Sequence, residues 1–514
     1  MEYLAGIDLG STSIKVVIYD LNGHTVAHAS RPMEVVRPHP EHPDWAVWLP
    51  EQVWSHVADA LREAIAALAE PSAIKGVAVT GMGMDGLPIA KDGRWLYPLI
   101  SWHCPRTTPQ QQWWLENVGA ARQFGISGNP VWPFNTAFRI LWMREHEPEI
   151  LRQADKWLLI EDFVNFMLCG AKATDYSMAS STLFFDQQKR AYSDELLAAA
   201  GVERSLLADP HPSGTVIGAV HRAAAERTGL PAGTPVVLGG HDFLCGAIPA
   251  GAFKPGVVLN VVGTWELVMT ALEQPVLTGQ VREMGWWIDS HVARGRYAAI
   301  GSAVAAGMLE WFRQQFGFEE AQKARSQGGV DWDYLMALAR EAPPGAGGLM
   351  FLPHLSGSYI PVVDASSMGA FVGLREVSTK GHAIRAVVEG LNYQFLQIIA
   401  GFKTTMGVQP DRMVAVGGGT SNTFWMQNKA DMAGKPIEVP QLEEATPLGA
   451  AIMAGIGVGL YRDEEDAFQR VYRPGRVYEP DLNLTCRYAE SFAIFERLYP
   501  ALKDVHAGLR KLAQ

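Results

Sequence analysis

The chain has 514 residues, of which 48% are hydrophobic and 19% are charged, and its formal net charge is −11. This is the composition of a globular protein, and the length predicts two domains of roughly 250 residues each, or three smaller ones. Because a general nucleic-acid-binding surface needs an excess of basic residues, the acidic charge argues against a nucleic-acid partner.

Cysteine usage and hydropathy indicate a cytoplasmic protein with no membrane partner. No C-x-x-C pair occurs, so neither a zinc site nor a disulfide framework is predicted. The sequence runs from Met1-Glu2 directly into a strand, without the features of a signal peptide. The longest uncharged run, 342–363, is interrupted by prolines, and 445–461 is shorter than the ~20 residues that a bilayer requires. The four cysteines are widely separated, at Cys104, Cys169, Cys245 and Cys486.

The first predicted element is a β-hairpin. Two apolar runs, 4–9 and 13–19, flank a turn of small and hydroxyl residues, and Asn22-Gly23 predicts a second tight turn. Small residues let backbone N–H groups approach an anion, so the first turn is a candidate phosphate site, and the preceding Asp8 is a candidate ligand of hydrated Mg²⁺. From local chemistry alone, an ordinary surface hairpin explains the turn equally well. The turn residues are Gly10, Ser11, Thr12 and Ser13.

Two segments resemble a known superfamily and one of its families. Segment 4–20 is similar to the first phosphate-binding motif of the actin-like ATPases, which include sugar kinases, heat-shock ATPases and actin. Segment 369–389 resembles the signature of the FGGY carbohydrate kinases, with Ala383 in place of a larger aliphatic residue. The resemblance covers about residues 4–459. It implies an α/β fold of two actin-like (ribonuclease H-like) ATPase domains with a nucleotide and sugar cleft between them.

This resemblance assigns a role to each half of the chain. Residues 1–250 are expected to form an N-terminal domain with the sugar and phosphate site. Residues 251–514 are expected to form a C-terminal domain with the nucleotide site.

A glycine-rich turn follows a predicted helix, 52–68, and a predicted strand, 74–80. Residues 81–86 satisfy G-x-G-x-x-G, but a dinucleotide fingerprint must open a helix, and here another strand follows. We therefore reject a dinucleotide site. In the FGGY resemblance this turn belongs to the sugar site, because Met84-Asp85-Gly86-Leu87 is similar to the Met-His-Gly-Leu of xylulokinases. Asp85 replaces the histidine.

Segment 102–106 supplies an aromatic ring and a guanidinium. Trp102-His103-Cys104-Pro105-Arg106 resembles the Trp-x-Asp-x-Arg of the family, with Cys104 in place of aspartate. Aromatic rings pack on the C–H faces of sugars and a guanidinium offers directional donors, so the resemblance assigns Trp102 and Arg106 to the sugar pocket. Without the resemblance, Trp102 would be a core residue and Arg106 a partner in a surface ion pair.

The next segments are predicted to be scaffold. Residues 138–152 and 156–170 are expected to be helices that resemble family segments. Asp162, and Asp175 in the following loop, are as readily helix caps or buried acceptors as catalytic groups.

A second turn carries the candidate general base. The apolar strand 234–238 leads into Gly239-Gly240-His241-Asp242, where two glycines let a ligand approach a strand-terminal carboxylate. In FGGY kinases the aspartate of the matching Gly-x-x-Asp takes the proton from the attacking hydroxyl. The resemblance therefore makes Asp242 catalytic, and we assign His241 to the sugar pocket. A lone Gly-Gly-His-Asp would indicate an aspartate that satisfies its own turn.

The second half repeats the plan of strand, small turn and strand. A strand at 255–262 reaches a Gly-Thr turn, although 265–270 could equally be the next strand of a sheet. A strand at 413–419 ends in glycines before a helix, which suits a flat adenosine, with Ser421 or Asn422 at the base edge. Ser358-Tyr359 stands where the family has Glu-Arg. The nucleotide contacts expected in this half are Gly263, Thr264, Gly307, Gly418, Gly419 and Asn422.

Together these features predict an ATP- and Mg²⁺-dependent carbohydrate kinase. The expected acceptor is a ketopentose such as xylulose, and ribulose, fuculose, gluconate, erythritol and glycerol remain alternatives because Asp85 replaces histidine. Rival functions are an actin- or chaperone-like ATPase and a sugar sensor without chemistry. A homodimer is the expected oligomeric state on general grounds.

Overall fold

The computed structural model describes residues 1–512, and its N-terminal half is built on a six-stranded sheet. The strands are β1 (Tyr3–Leu9), β2 (Ser13–Asp20), β3 (Thr25–Pro32), β4 (Val47–Trp48), β5 (Ile74–Gly81), β6 (Gly86–Ile89), β7 (Leu99–Ile100), β8 (Lys156–Leu159), β9 (Ala173–Asp175), β10 (Phe185–Asp186), β11 (Ala191–Tyr192), β12 (Asp209–His211), β13 (Val216–Ala219) and β14 (Pro235–His241). The helices are α1 (Pro50–Ala66), α2 (Thr108–Asn117), α3 (Ala120–Ser127), α4 (Thr136–His146), α5 (Pro148–Gln153), α6 (Ile160–Cys169), α7 (Tyr176–Ser180), α8 (Asp194–Ala200), α9 (Arg222–Thr228) and α10 (Asp242–Ala247).

The C-terminal half is built on a seven-stranded sheet. The strands are β15 (Val257–Val262), β16 (Trp265–Leu272), β17 (Trp287–Ser290), β18 (Tyr297–Val304), β19 (Met350–Leu352), β20 (Ala370–Val372), β21 (Arg412–Val416), β22 (Ile437–Val439) and β23 (Arg476–Tyr478). The helices are α11 (Gly279–Glu283), α12 (Ala306–Phe316), α13 (Phe318–Gln327), α14 (Asp331–Glu341), α15 (Lys380–Met406), α16 (Thr423–Ala433), α17 (Ala445–Gly457), α18 (Glu464–Val471), α19 (Leu482–Phe495) and α20 (Leu498–Leu512).

The two sheets share a core of five strands with the same order and directions, and they differ at their edge strands. The N-terminal sheet has the order β13-β14-β5-β1-β2-β3, and the C-terminal sheet has the order β17-β18-β16-β15-β21-β22-β23. In each sheet three neighbouring strands are antiparallel, β1-β2-β3 and β15-β16-β18, and two further strands continue the first of them in parallel, β1-β5-β14 and β15-β21-β22. The C-terminal sheet has an additional edge strand, β17, which is antiparallel to β18. Central parallel strands are buried on both faces, which explains the nearly continuous apolar sequence of β1 and β5. The repeated plan expected from the sequence is confirmed.

Two helices fill the space between the sheets. Helix α17, from the C-terminal half, packs on β1, β5 and β14 of the N-terminal sheet and on α10. Small residues make this approach possible: a Cβ on Gly449 would lie 1.9 Å from the carbonyl oxygen of Cys245, and one on Gly6 would lie 2.0 Å from that of Pro447. The turns that end β1 and β14 therefore meet at one cleft.

Most predicted elements are confirmed, and two are wrong in detail. The single helix predicted over 138–152 is two helices, α4 and α5, because Pro148 interrupts the helical hydrogen-bond pattern. The helix predicted over 156–170 begins as a strand, β8, which pairs with β6.

Two other sequence predictions concern the chain as a whole. Within residues 1–512, no helix is long and apolar enough to cross a membrane. The predicted C-terminal domain, 251–514, ends with two residues that lie outside the described part of the chain.

Candidate active site

The β1–β2 turn is a tight, partly exposed corner. The backbone N–H of Gly10 donates to the carbonyl oxygen of Ser13 at 3.1 Å, and that of Met33 donates to the carbonyl oxygen of Thr12 at 3.0 Å. No residue of the described chain bonds the hydroxyls of Ser11, Thr12 or Ser13. The corner therefore offers free donors beside the end of β1, as a phosphate site requires.

Asp8 lies at the end of β1, with only 8% of its surface exposed. Its Oδ1 has no hydrogen-bond partner among the described residues. Burial, followed by the negative charge of Asp242, raises the pKa of Asp8 to about 8, although Lys15 opposes the shift. A buried carboxylate facing a second carboxylate is a position that a cation would stabilise.

The surroundings of Asp8 fit a magnesium ion that is held mainly by other oxygen ligands. Within residues 1–512, no group of three or more His, Cys, Asp or Glu side chains could hold a metal. Mg²⁺ commonly binds through one or two carboxylates, with water and substrate phosphates as its remaining ligands. Asp8 beside the β1–β2 turn provides this kind of site.

Asp242 is the first residue of α10, and its two carboxylate oxygens have different surroundings. Oδ1 accepts hydrogen bonds from Nδ1 of His241 at 2.8 Å and from the backbone N–H of Phe243 at 2.6 Å. The backbone N–H of Gly83 donates to Nε2 of His241 at 3.2 Å, so the imidazole carries its proton on Nδ1. Oδ2 receives no donor from the described residues, and the side chain is 32% exposed. Oδ2 is thus available to accept a proton.

The turn before Asp242 requires glycine. A Cβ on Gly239 would lie 2.0 Å from the carbonyl oxygen of Val79, and one on Gly240 would lie 2.4 Å from Val292. Gly240 also has φ +146°, a value that disfavours a side chain. Thr80 on the neighbouring strand donates its hydroxyl to the carbonyl oxygen of Gly240 at 2.6 Å. The position of Asp242 is therefore set by close packing of β14 on β5.

Asp85 lies in a buried ion pair behind the β5–β6 turn. Its Oδ1 accepts from the guanidinium of Arg139 at 2.7 Å, and its Oδ2 accepts from Nε1 of Trp48 at 2.6 Å. Burial raises the pKa of Asp85 to about 6, against the lowering effect of Arg139. The preceding Met84 has φ +79°, and its carbonyl oxygen accepts from Thr136 and Arg139, both at 2.8 Å. The Asp85–Arg139 ion pair thus holds the backbone turn at Met84 in place.

Trp102 belongs to a strip of aromatic rings that crosses the two halves. Its ring is 38% exposed and stacks on His103, with centroids 3.8 Å apart. Phe134 lies 6.3 Å from Trp102 and stacks on Trp132 at 5.6 Å. Trp132 in turn meets Trp287 of β17 edge-on at 5.3 Å. Ring faces of this kind suit the C–H surface of a sugar.

Arg106 lies within a cluster of aromatic residues. Its guanidinium carbon is 4.3 Å from the ring centre of Trp45 and 5.0 Å from that of Trp142. Nε donates to Sγ of Cys104 at 2.9 Å, and Nη1 donates to the hydroxyl of Tyr97 at 3.3 Å. The structure thus brings Trp102 to the aromatic strip, whereas the Arg106 side chain is engaged in packing.

The Gly-Thr turn of the C-terminal half is tied to the start of α12. The carbonyl oxygen of Thr264 accepts from the N–H groups of Ala305 at 3.0 Å and Gly307 at 3.2 Å, and that of Gly263 accepts from Ala306 at 3.1 Å. This turn opens onto a cavity of about 620 Å³, a size that suits a nucleoside. Predicted residues that line the cavity are Thr264, Gly307, Gly418, Gly419 and Asn422.

Asn422 has its Oδ1 and one of its two Nδ2 protons committed to the fold. Its Oδ1 accepts from the backbone N–H of Trp425 at 3.0 Å and caps α16, while Nδ2 lies 3.2 Å from the sulfur of Met336. The hydroxyl of Ser421 donates to the carbonyl oxygen of Gly418 at 2.8 Å. Asn422 can therefore offer the cavity an N–H donor.

Several residues at these sites were not predicted. Trp132, Phe134 and Trp287 complete the aromatic strip, and Trp332 and Arg340 line the nucleotide-sized cavity from the α14 side. The aromatic residues at 131–134 were visible in the sequence as a loop cluster. Their contact with Trp287 on β17 arises from tertiary packing, which a local sequence pattern cannot predict.

Comparison with known proteins matches almost the whole chain to one family. The model of the N-terminal domain of the FGGY family of carbohydrate kinases matches residues 3–249, and the model of its C-terminal domain matches residues 258–458. The chain is 32% identical to the L-fuculokinase of Escherichia coli (strain K12), with 93% of this chain and 97% of that protein covered. It is 28% identical to the xylulose kinase of Bacillus subtilis (strain 168), with 99% of each covered.

A solved structure shows the same fold. The xylulose kinase from Rhodospirillum rubrum matches with a TM-score of 0.89 at 28% identity, covering 98% of this chain and 100% of that one. The expected α/β fold of two actin-like domains and the expected enzyme class, a phosphotransferase acting on a carbohydrate, are confirmed. The chain belongs to the FGGY family of carbohydrate kinases.

Proposed function

We propose that this kinase transfers the γ-phosphoryl group of ATP to a terminal hydroxyl of a small ketose, with Asp242 as general base. The observation that carries the proposal is the asymmetry of the Asp242 carboxylate. Two donors hold Oδ1, while Oδ2 lacks a donor among the described residues and belongs to a partly exposed side chain. Oδ2 would accept the proton of the attacking hydroxyl as the phosphoryl group is transferred.

The proposal assigns the phosphates and Mg²⁺ to the turn at 10–13, with Asp8 beside it, and to the Gly263-Thr264 turn. Asp8 would hold hydrated Mg²⁺, as its unpartnered oxygen and raised pKa suggest. Bound Mg²⁺ supplies positive charge that neutralises the phosphates. The free donors of turn 10–13 and the hydroxyl of Thr264 would bind the phosphate oxygens, with Gly263, whose N–H is bonded to the carbonyl oxygen of Trp265, shaping the turn. Closure of the cleft would exclude water, which otherwise competes as acceptor.

The nucleoside is assigned to the cavity of the C-terminal half, within residues 251–514. Gly307, Gly418 and Gly419 would let the base and ribose approach the backbone, and Asn422 would donate from Nδ2 to the base edge. The size of the cavity supports this assignment.

The sugar is assigned to the N-terminal half, within residues 1–250. Trp102 would pack on the sugar, and Met84 and His241 would border it from the two turns beside Asp242. Arg106 would shape the pocket indirectly, through its packing on aromatic rings, and Asp85 would do so through its ion pair with Arg139. Two relatives named for ketoses, fuculose and xylulose, support a ketose. Xylulose is our first candidate, and ribulose, fuculose, gluconate, erythritol and glycerol are the alternatives.

The test is ADP release with Mg-ATP across a panel of ketoses, aldoses, polyols and aldonates, with Asp242→Ala as the blank. We expect one ketose to stimulate ADP release strongly in the wild type and not in the variant. ATP hydrolysis that is unaffected by every sugar, and that rises with protein concentration, would contradict the proposal in favour of an ATPase.

A further inference from the structure

The catalytic turn, residues 239–242, is held from its buried side by a serine. The backbone N–H of His241 donates to Oγ of Ser177 at 2.9 Å. Ser177 in turn donates its hydroxyl proton to Oδ1 of Asp175, which also accepts from the backbone N–H of Ser177 at 2.7 Å. Asp175 and Ser177 are 0% and 1% exposed, so water does not compete for these bonds.

The direction of each bond in this chain is fixed. The backbone N–H of His241 can only donate, so Oγ of Ser177 accepts it with a lone pair, and the single hydroxyl proton of Ser177 is left for Oδ1 of Asp175. Space is also restricted here, since a Cβ on Gly240 would lie 2.7 Å from Oγ of Ser177 and 3.2 Å from Oδ1 of Asp175. The main chain that precedes Asp242 therefore has one arrangement.

We propose that Ser177 and Asp175 form a positioning pair for Asp242. The pair fixes the main chain at His241, and the His241 and Phe243 donors then fix Oδ1, which leaves Oδ2 as the only oxygen free to receive a proton. The proposal rests on the proposed function of Asp242. Capping of α7 accounts for the bonds from Ser177 and Met178 to Asp175, but it does not account for the bond from His241 to Ser177.

Ser177→Ala is the direct test, and the chain offers a matched control. Ser213 donates its hydroxyl to the same Oδ1 of Asp175 at 3.3 Å but bonds no residue of the turn in the described chain. We expect Ser177→Ala to lower kcat roughly 10- to 100-fold, the scale for a misplaced reacting group, with KM for ketose and ATP within about twofold of wild type. Ser213→Ala should keep the wild-type kcat.

The carboxylate is tested by a conservative pair of variants. Asp175→Asn retains an Oδ1 acceptor and should lose less kcat than Asp175→Ala. A kcat for Ser177→Ala within about twofold of wild type, or equal losses in Ser177→Ala and Ser213→Ala, would overturn the proposal.

A second readout separates this proposal from the proposed function. Hydrogen exchange in the peptide that covers 239–243 should accelerate, by up to about tenfold, in Ser177→Ala and not in Ser213→Ala. If no sugar supports turnover in the wild type, the proposed function fails, and the exchange comparison still decides whether Ser177 holds the turn. Unchanged exchange in Ser177→Ala would overturn the positioning role.

Discussion

At the scale of single residues, a few carboxylates have surroundings that set them apart from the rest of this acidic chain. Asp242 keeps one oxygen free, Asp8 keeps one oxygen unpartnered, and Asp85 has both oxygens paired. The same side chain thus serves as a candidate base, a candidate metal ligand and a structural anchor. Local hydrogen bonding and burial decide which role each one can take.

Replacement of Asp8 should weaken magnesium dependence. Asp8→Asn keeps the size of the side chain but removes the negative charge that we propose binds Mg²⁺. The Mg²⁺ concentration for half-maximal turnover should therefore rise on the order of 10–100-fold. The control is Asp92→Asn, which removes an exposed carboxylate paired with Arg94. An identical magnesium titration in wild type and Asp8→Asn would remove Asp8 from the metal site.

Asp289 should make stability depend on pH. Burial is the main cause that raises its pKa from 3.8 to about 6, against a hydrogen bond from Asn129 at 2.8 Å. When a carboxyl has a higher pKa in the folded state than in the unfolded state, it stabilises the protein most at a pH below the unfolded-state pKa. This contribution to stability is lost as the pH rises through the folded-state pKa.

Asp289→Asn should therefore gain stability relative to wild type between about pH 4 and pH 8, by up to about 3 kcal/mol. Urea unfolding at about pH 4, 6 and 8 measures the difference. A difference in unfolding free energy that is the same at all three values would show that Asp289 is not the group responsible.

At the scale of elements, the contact between α10 and α17 joins the two halves of the molecule. Gly449→Ala should cost roughly 1–3 kcal/mol or more, because the new Cβ would lie 1.9 Å from the backbone carbonyl oxygen of Cys245. Gly125→Ala in α3 is the matched control, since its Cβ would meet nothing within 4 Å. It should be neutral or stabilising by up to about 1 kcal/mol. Thermal unfolding of both variants checks the prediction, and equal stabilities would contradict it.

Local patterns predicted the elements that carry the candidate site, but not all of their contacts. The turns at 10–13 and 239–242 follow apolar strands directly, so strand periodicity and small residues were sufficient to find them. The ion pair of Asp85 depends on Arg139, 54 positions away, and the Arg106 cluster depends on Trp45 and Trp142. Contacts of this kind arise from packing and leave no local signal. The break at Pro148, by contrast, was visible in the sequence.

At the scale of the whole molecule, one chain builds two sheets that share a core strand order and packs them against each other through α10 and α17. Helix α17 crosses from the C-terminal half to pack on the N-terminal sheet, so each half depends on the other for part of its core. The proposed sugar site belongs to the N-terminal half and the proposed nucleoside site to the C-terminal half. Sugar-dependent turnover is the property that this arrangement implies and that an assembly-driven ATPase would lack.

The most direct measurement is ketose-dependent ADP release by wild type and Asp242→Asn, with ATP affinity measured for both. We predict that the variant binds ATP as wild type does and loses on the order of 10²–10⁴ in turnover, the usual scale for a positioned base. Turnover within about tenfold of wild type, in a variant that folds and binds ATP normally, would contradict the role of Asp242.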